Sequence, residues 1–210
     1  VLKAGAYMVA DGVKHPMVRD VASLATCGFL SVREKVEAGL VLAKLTGGAE
    51  ARGLTVGQWL DRETSSVAVR RLAETIVRVS TYCDDEGQSA EAALRQTQMA
   101  TGGVLYVDGG WQAMVARMAE YARGLGVEFA MGAPVKELGE RTVLAVEPRE
   151  VERLTGRRSP ALTPVRAATL DLALDRMPEG AAIFGLGMDE SLYFSLHSRW
   201  ATLAPEGGAV

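Results

Sequence analysis

The sequence predicts an α+β fold, with a mostly helical N-terminal part followed by a mixed or antiparallel β-sheet. Amphipathic segments that begin at capping residues fill most of the first hundred positions. After residue 102, short apolar runs alternate with glycine-rich turns, which is typical of strands. We therefore divide the chain into a mostly helical part (1–105), a segment of helix and strands (106–156) and a β-rich part (157–210).

Capping residues and apolar spacing predict four helices in the first hundred residues. Ser31 and Glu34 have the spacing of a capping box, which closes the first turn of a helix. Val32, Val36 and Leu40 then share one helical face, and the helix ends at a glycine pair. The same reasoning predicts further helices after Thr55, at Val67–Tyr82 and after Ser89.

The remaining residues alternate predicted helices with predicted strands. A helix begins at Trp111, with Met114, Val115 and Met118 facing inward. Pro148 suits the first turn of a short helix that ends before a glycine. Strands are predicted at 127–131, at 135–138, at 142–146 (buried on both faces), in patches of 165–174, and at 181–186 and 192–198, joined by a turn at 187–191.

Composition excludes several classes of protein. The chain has 26 acidic and 23 basic residues in 210, too balanced for nucleic-acid binding driven by bulk charge. No apolar run approaches the roughly 20 residues of a membrane span. Cys27 and Cys83 lie outside any metal-ligand spacing and are expected to be buried or half-buried free thiols, which indicates a cytoplasmic protein. Two histidines and the absence of a ligand motif argue against a metal site.

A glycine motif near the C-terminus imitates a dinucleotide-binding fingerprint. Gly185-Leu-Gly187-Met-Asp-Glu190 has Glu190 where the third glycine belongs, and strand-like residues follow it instead of a helix. The fingerprint needs both the close-packing glycine and a helix N-terminus for the pyrophosphate. The motif is therefore predicted to be a turn between strands.

The block Gly103-Val-Leu-Tyr-Val-Asp-Gly-Gly-Trp-Gln112 admits two interpretations. Paired glycines before a helix let the backbone approach a ligand, and the first amides of the helix are free donors. The same residues also suit an ordinary strand–turn–helix packing unit, which is the commoner use of such glycines. Taken by themselves, these residues favour the packing unit.

The order of several motifs resembles the flavin-containing amine oxidase and phytoene desaturase superfamily. The matching elements, in order, are Tyr106-Val-Asp-Gly-Gly-Trp-Gln112, Gly126-Val-Glu-Phe, Val135-Lys-Glu-Leu138 and Val143-Leu-Ala-Val-Glu-Pro148, with a weaker continuation at Leu192-Tyr-Phe-Ser-Leu-His-Ser. The resemblance covers about half of the chain in recognisable motifs. It implies the substrate-binding domain of an FAD-dependent oxidoreductase that transfers a hydride from a C–N or C–C bond to flavin.

The resemblance also implies roles for particular residues. Val135 would contact the adenine of FAD through its backbone, and Ala145 and Pro148 would lie beside the same half of the cofactor. Tyr106, Trp111 and Gln112 would lie at the start of the helix that faces the substrate cavity, and the substrate would be a small, apolar molecule. No catalytic residue is indicated. His197 is more simply explained as a structural histidine than as an acid or base.

The departures from the family are equally informative. Members hold the FAD pyrophosphate on a GxGxxG turn and close a glycine-rich segment over the flavin, and this chain has neither. Only Gly139-Glu140 separates Leu138 from Arg141, where members have a longer β-meander. We therefore interpret Val1 as a cut inside a larger flavoprotein, and expect this chain alone to be inactive and not to retain FAD. The alternative is a non-catalytic binding or interaction module with an apolar pocket.

Overall fold

The computed structural model describes residues 5–48, 50–177, 180 and 182–210. The chain divides into two compact units, one formed by Val1–Met114 with Arg166–Val210 and the other by Val115–Val165. The predicted α+β class is confirmed, because helices occur together with a four-stranded mixed sheet. The elements are β1 (Ala6–Ala10), β2 (Val13–Pro16), α1 (Val21–Thr26), α2 (Val32–Gly47), α3 (Val56–Glu63), α4 (Val67–Thr81), α5 (Ala90–Thr101), α6 (Gly110–Gly124), α7 (Pro148–Thr155), β3 (Phe184–Gly187), β4 (Tyr193–Ser195) and a 3₁₀ turn (His197–Arg199).

Helices α2, α3 and α5 begin at the capping residues that predicted them, whereas α1, which is capped by Asp20, was not predicted. The Ser31 hydroxyl accepts a hydrogen bond from the Glu34 amide, and the Glu34 carboxylate accepts one from the Ser31 amide. Thr55 and Gln58 form the same reciprocal pair at the start of α3. These bonds satisfy amides that have no partner within the helix, so the local sequence alone is enough to position the helix starts.

The sheet has the strand order β2-β1-β3-β4. β1 pairs antiparallel with β2 and parallel with β3, and β3 pairs antiparallel with β4. A two-residue turn joins β1 to β2, with φ of 51° at Asp11 and 71° at Gly12. Asp-Gly between alternating apolar residues is a strong hairpin signal, and the helical interpretation of the first hundred residues missed it.

One face of the sheet packs on the helices. Met8 and Leu186 lie opposite each other in β1 and β3, and both are buried. They belong to one apolar cluster with Trp59 of α3, Leu45 of α2 and Leu72 of α4. Tyr7 and Val9 alternate to the opposite face, where they are more exposed. This alternation is typical of a sheet that is packed on one side.

Two arginines of α4 bind the turns of the sheet. Arg71 donates to Asp11 in the β1–β2 turn at 3.2 Å and to Asp189 in the β3–β4 turn at 2.6 Å. Arg78 donates to the carbonyl of Gly187 at 2.5 Å. Because the two turns come from opposite ends of the chain, α4 holds them in one place.

Several predicted strands do not form. Residues 127–131, 135–138 and 142–146 are not strands, and Val143, expected to be buried on both faces, is 93% exposed. None of the residues from Val115 to Val165 is buried. Within 165–174, Leu174 makes an isolated β-bridge to Ala209, and no strand forms. An apolar run becomes a strand only when a neighbouring strand pairs with it. The described residues of the unit Val115–Val165 contain no strand that could do so.

Two predicted helix faces are also wrong. Val32, Val36 and Leu40 of α2 are exposed, and the buried residues of α2 are instead Ala38, Val41 and Leu45. In α6, Val115 and Met118 are exposed and Met114 is only half-buried, so these residues do not form a core. Apolar spacing finds a helical face, but the neighbouring elements decide which face they cover.

The predicted strand pair near the C-terminus is confirmed. β3 and β4 lie within or beside the two predicted strands and are joined by a turn between Gly187 and Leu192. The predicted strand start at Ala181 lies outside the described residues. The two free cysteines are also confirmed, with Cys27 buried and Cys83 half-buried.

We predict that Gly187→Ala destabilises the fold by about 1–3 kcal/mol, because a Cβ at Gly187 would lie 2.5 Å from the backbone oxygen of Glu190. Gly185→Ala is the matched control. Its Cβ would lie 3.9 Å from Phe194, and we expect an effect below about 0.5 kcal/mol. Urea unfolding measures both, and equal effects would contradict the close approach at Gly187.

A second prediction concerns acid unfolding. Hydrogen bonds from Ser31, and then from Ser66, lower the pKa of Glu34 from 4.5 to about 2. A lowered pKa adds stability that is present above pH 4.5 and is lost as the pH falls toward 2. We expect the stability difference between wild type and Glu34→Gln to shrink across this window.

Thermal unfolding between about pH 2 and pH 7 measures this difference. In a Ser31→Ala background the same substitution should have a smaller pH-dependent effect, since the largest cause of the lowered pKa is then absent. A Glu34→Gln effect that does not change with pH would contradict the prediction.

Candidate functional site

Three aromatic rings from distant parts of the chain meet in the larger unit. The ring centroid of Tyr106 lies 5.5 Å from that of His197. The Tyr106 ring also stacks on the ring of Trp200, with their centroids 6.5 Å apart and their planes at 28° to each other. Offset stacking at these distances is favourable for aromatic pairs. We call Tyr106, His197 and Trp200 the aromatic cluster.

Backbone hydrogen bonds place the cluster. The Asp108 carboxylate accepts from the amide of Thr202 at 2.7 Å, and the amide of Gly109 donates to the carbonyl of Thr202 at 2.8 Å. Gly109 and Gly110 have φ of 78° and 69°, a conformation that favours glycine. The glycine pair therefore turns the chain into α6 while it holds Tyr106 against the segment after β4.

A cavity of about 370 Å³ lies beside the aromatic cluster. Asp108 forms one side, and the continuous segment 198–208, which includes Trp200, forms the rest. Trp200 is the one aromatic residue among the described residues that line it, and Arg199 and Glu206 add charges of both signs. A site of this size can hold a small organic molecule and orient it through these polar groups. It is the candidate substrate site of this chain.

The three predicted substrate residues are placed differently. Tyr106 belongs to the aromatic cluster, whereas Trp111 is 79% exposed and Gln112 is also exposed at the start of α6. None of the three lines the cavity, and Tyr106 is connected to it through Trp200, on which it stacks. The substrate role of all three stays a prediction.

The three predicted cofactor residues belong to the unit Val115–Val165. The carbonyl of Val135 accepts a hydrogen bond from Arg153 of α7 at 3.1 Å, and Pro148 is the first residue of that helix. Ala145 lies three residues earlier, and all three residues are exposed. The hydrogen bond from Arg153 therefore holds Val135 beside α7.

These residues do not fit a complete FAD site. A pyrophosphate needs free amides and positive potential at a helix N-terminus. The N-terminus of α7 has Pro148, which lacks an amide hydrogen, and acidic Glu147 and Glu150. The carbonyl of Val135, predicted to contact adenine, already accepts one hydrogen bond from Arg153, which leaves its second lone pair and the amide for such a contact.

The imitation fingerprint at Gly185–Glu190 is a turn, as predicted. β3 ends at Gly187, whose amide donates to the carbonyl of Leu192 at 2.9 Å, and β4 follows directly. No helix begins there. The motif therefore offers no helix N-terminus to a dinucleotide.

The acidic run after Cys83 is paired with basic side chains. Asp84 accepts from Arg78 at 3.2 Å, and Glu86 accepts from Arg70 at 2.5 Å. Arg70 also contacts Glu74 at 2.6 Å. Burial, followed by the neighbouring Glu86 carboxylate, raises the pKa of Glu74. Among the described residues, no group of three or more His, Cys, Asp and Glu side chains is arranged to hold a metal ion.

Sequence reasoning missed two residues of the site, Asp108 and Trp200. Asp108 attracts notice only as part of the glycine block, and Trp200 follows a strand with no periodic pattern around it. Their partners are about a hundred positions away in the chain, since Asp108 binds Thr202 and Trp200 stacks on Tyr106. Contacts of this range leave no local signal.

Comparisons with protein-family models, curated proteins and solved structures found no match to this chain. Within the part of the chain that the structure describes, no helix combines the length and the apolar character that a membrane crossing requires.

Proposed function

We propose that this chain is the substrate-binding portion of an FAD-dependent oxidoreductase resembling amine oxidases and phytoene desaturases. The observation that carries the proposal is the aromatic cluster at the start of α6, beside a cavity of about 370 Å³. Tyr106 comes from the motif block whose order resembles that superfamily, and His197 from its weaker continuation.

In the larger protein, the flavin would accept a hydride from a C–N or C–C bond of the substrate. The residues of this chain would bind and orient the substrate. Trp200 offers a ring face to an apolar group, Tyr106 supports Trp200 by stacking on it, and Asp108 offers a carboxylate to a polar or cationic group. Because the described residues form no complete FAD site, we assign none of the cofactor chemistry to this chain.

The second candidate is an interaction module without chemistry. It is favoured by the exposed apolar stripe of α2, in which Val32, Val36 and Leu40 recur every four residues. Contiguous apolar residues on a protein surface often mark a contact site. This candidate needs neither the aromatic cluster nor the cavity, so substitutions in the cluster distinguish the two functions.

We predict that Tyr106→Ala weakens binding of a small aromatic amine, with benzylamine as the probe, by about tenfold, since it removes the ring that stacks on Trp200. Isothermal titration measures the affinity. Tyr121→Ala is the matched control, because Tyr121 is an exposed tyrosine of α6 that lies outside the aromatic cluster.

A long polyene in detergent is the second probe, and separates an amine site from a site for C–C substrates. Equal affinities of the Tyr106→Ala and Tyr121→Ala proteins for the probe that the wild type binds would contradict the proposed substrate site. Binding of neither probe by the wild-type chain would favour the interaction module.

We also predict that the 210-residue chain purifies colourless and does not retain added FAD after dialysis. The physical reason is the acidic, proline-started N-terminus of α7 and the turn at Gly185–Glu190, neither of which accepts a pyrophosphate. Absorbance at the flavin bands measures retention. A yellow protein after dialysis would contradict the assignment of the cofactor to other parts of the enzyme.

A further inference from the structure

The two edges of the sheet differ in how they are protected. The β2 edge carries Lys14 and Pro16, both of which discourage pairing with another strand. The β4 edge belongs to the run Leu192-Tyr-Phe-Ser-Leu196, which contains neither charge nor proline. Leu192 is 62% and Phe194 is 50% exposed. The β4 edge therefore has the features of a strand that pairs with another.

The backbone of β4 has groups available for such pairing. The carbonyl of Leu192 accepts a hydrogen bond from the amide of Gly187 at 2.9 Å, and the amide of Leu196 donates to the carbonyl of Ile183 at 3.0 Å. Phe194 lies opposite Gly185 in the same register. Alternate residues of an antiparallel strand direct their amides and carbonyls to opposite sides. The backbone groups of Tyr193 and Ser195 therefore point away from β3, at the outer edge of the sheet.

The segment is complementary to itself when two copies run antiparallel. With Phe194 on the two-fold axis, Tyr193 of one copy faces Ser195 of the other, and each such pair exchanges two hydrogen bonds. The two Phe194 rings then form a pair that is not hydrogen-bonded, the arrangement in which cross-strand side chains approach most closely.

The charges at the ends of the segment match this orientation. The acidic turn Asp189-Glu190 precedes β4, and Arg199 follows it. An antiparallel pair brings the acidic end of one copy to the basic end of the other, whereas a parallel pair would bring like charges together. Within the described residues, neither the Glu190 carboxylate nor Arg199 takes part in an ion pair.

We propose that a second copy of this chain pairs with the β4 edge, so that two sheets join antiparallel about Phe194 into a symmetric dimer. An isologous contact of this kind closes after two copies, which prevents further growth at that edge. Because β4 has three residues, the contact is small, and we expect a dissociation constant of about 100 μM.

Sedimentation equilibrium of the 210-residue chain from about 10 μM to about 1 mM, roughly a decade either side of the expected constant, tests the proposal. Phe194→Lys places like charges at the axis, and we expect dimerisation to weaken at least about tenfold. Val143→Lys is the matched control, because it puts the same charge on an exposed apolar position of the unit Val115–Val165. Circular dichroism and the Tm establish that both variants are folded.

Ser195→Pro tests the backbone directly. The substitution removes the amide hydrogen of residue 195, which points away from β3, and leaves the hydrogen bonds between β3 and β4 intact. The pairing of β3 with β4 should therefore persist. We expect this variant to be monomeric at concentrations where the wild type is dimeric. If it fails to fold, Phe194→Lys and the charge reversals below still decide the question.

Charge reversal tests the orientation. Glu190→Arg and Arg199→Glu each place like charges at both ends of the dimer, and we expect each variant alone to dimerise about tenfold more weakly. An equimolar mixture of the two variants should form heterodimers, because every facing pair is then opposite in charge. The chain that carries both reversals should dimerise as the wild type does.

Three results would overturn the proposal. One is a wild-type chain that stays monomeric up to about 1 mM. This result would overturn the proposal even if the β4 edge bound a different protein. Another is a dimer that Phe194→Lys and Ser195→Pro leave unchanged, which would place the contact elsewhere. The third is a mixture of the two reversal variants that dimerises no better than either one alone.

Discussion

The fold depends on the parallel pairing of β1 with β3, which joins residues from the two ends of the chain. Met8 and Leu186 lie opposite each other in this pair, and both are buried in the apolar cluster that the sheet shares with the helices. Burial of apolar side chains is the main source of stability in such a contact. Arg71 of α4 then links the two turns of the sheet through the carboxylates of Asp11 and Asp189. Because these ion pairs are partly exposed, they orient the turns and contribute little to stability.

This constraint also positions the candidate site. β4 leads directly into the 3₁₀ turn at His197–Arg199, and the segment after it binds Asp108 and Gly109. The aromatic cluster thus forms where the end of the sheet meets the beginning of α6. The hydrogen bonds of Asp108 and Gly109 to Thr202 fix the two chain segments that carry the rings, and a site that is ordered before binding costs a ligand less entropy.

Three groups of exposed apolar residues have different meanings. Those of β4 come with free backbone groups and matched end charges, and these features specify an antiparallel copy of the same strand. The α2 stripe lacks such features and supports only the general possibility of an interaction surface. The residues of Val115–Val165 have no buried neighbour in their own unit, which agrees with the proposal that this chain functions within a larger protein.

The sequence by itself determined the starts of α2, α3 and α5 and the turn between β3 and β4, and its local signals also mark the hairpin turn at Asp11-Gly12. A serine or threonine cap acts on amides within three residues, and an Asp-Gly pair acts on its own dihedral angles, so both can be recognised locally. The strand pair at 184–195 was recognisable for the same reason, because its turn is short. Free thiols at Cys27 and Cys83 also followed from their surroundings in the sequence.

Only the tertiary structure decided which apolar faces are buried, which apolar runs become strands, and which residues form the site. Val32 and Val41 are equally apolar, but only Val41 meets another element. The runs at 127–131 and 142–146 have strand-like composition, but no partner strand among the described residues completes their hydrogen bonds. Trp200 joins Tyr106 through the docking of two distant segments, and spacing along the chain carries no information about such a contact.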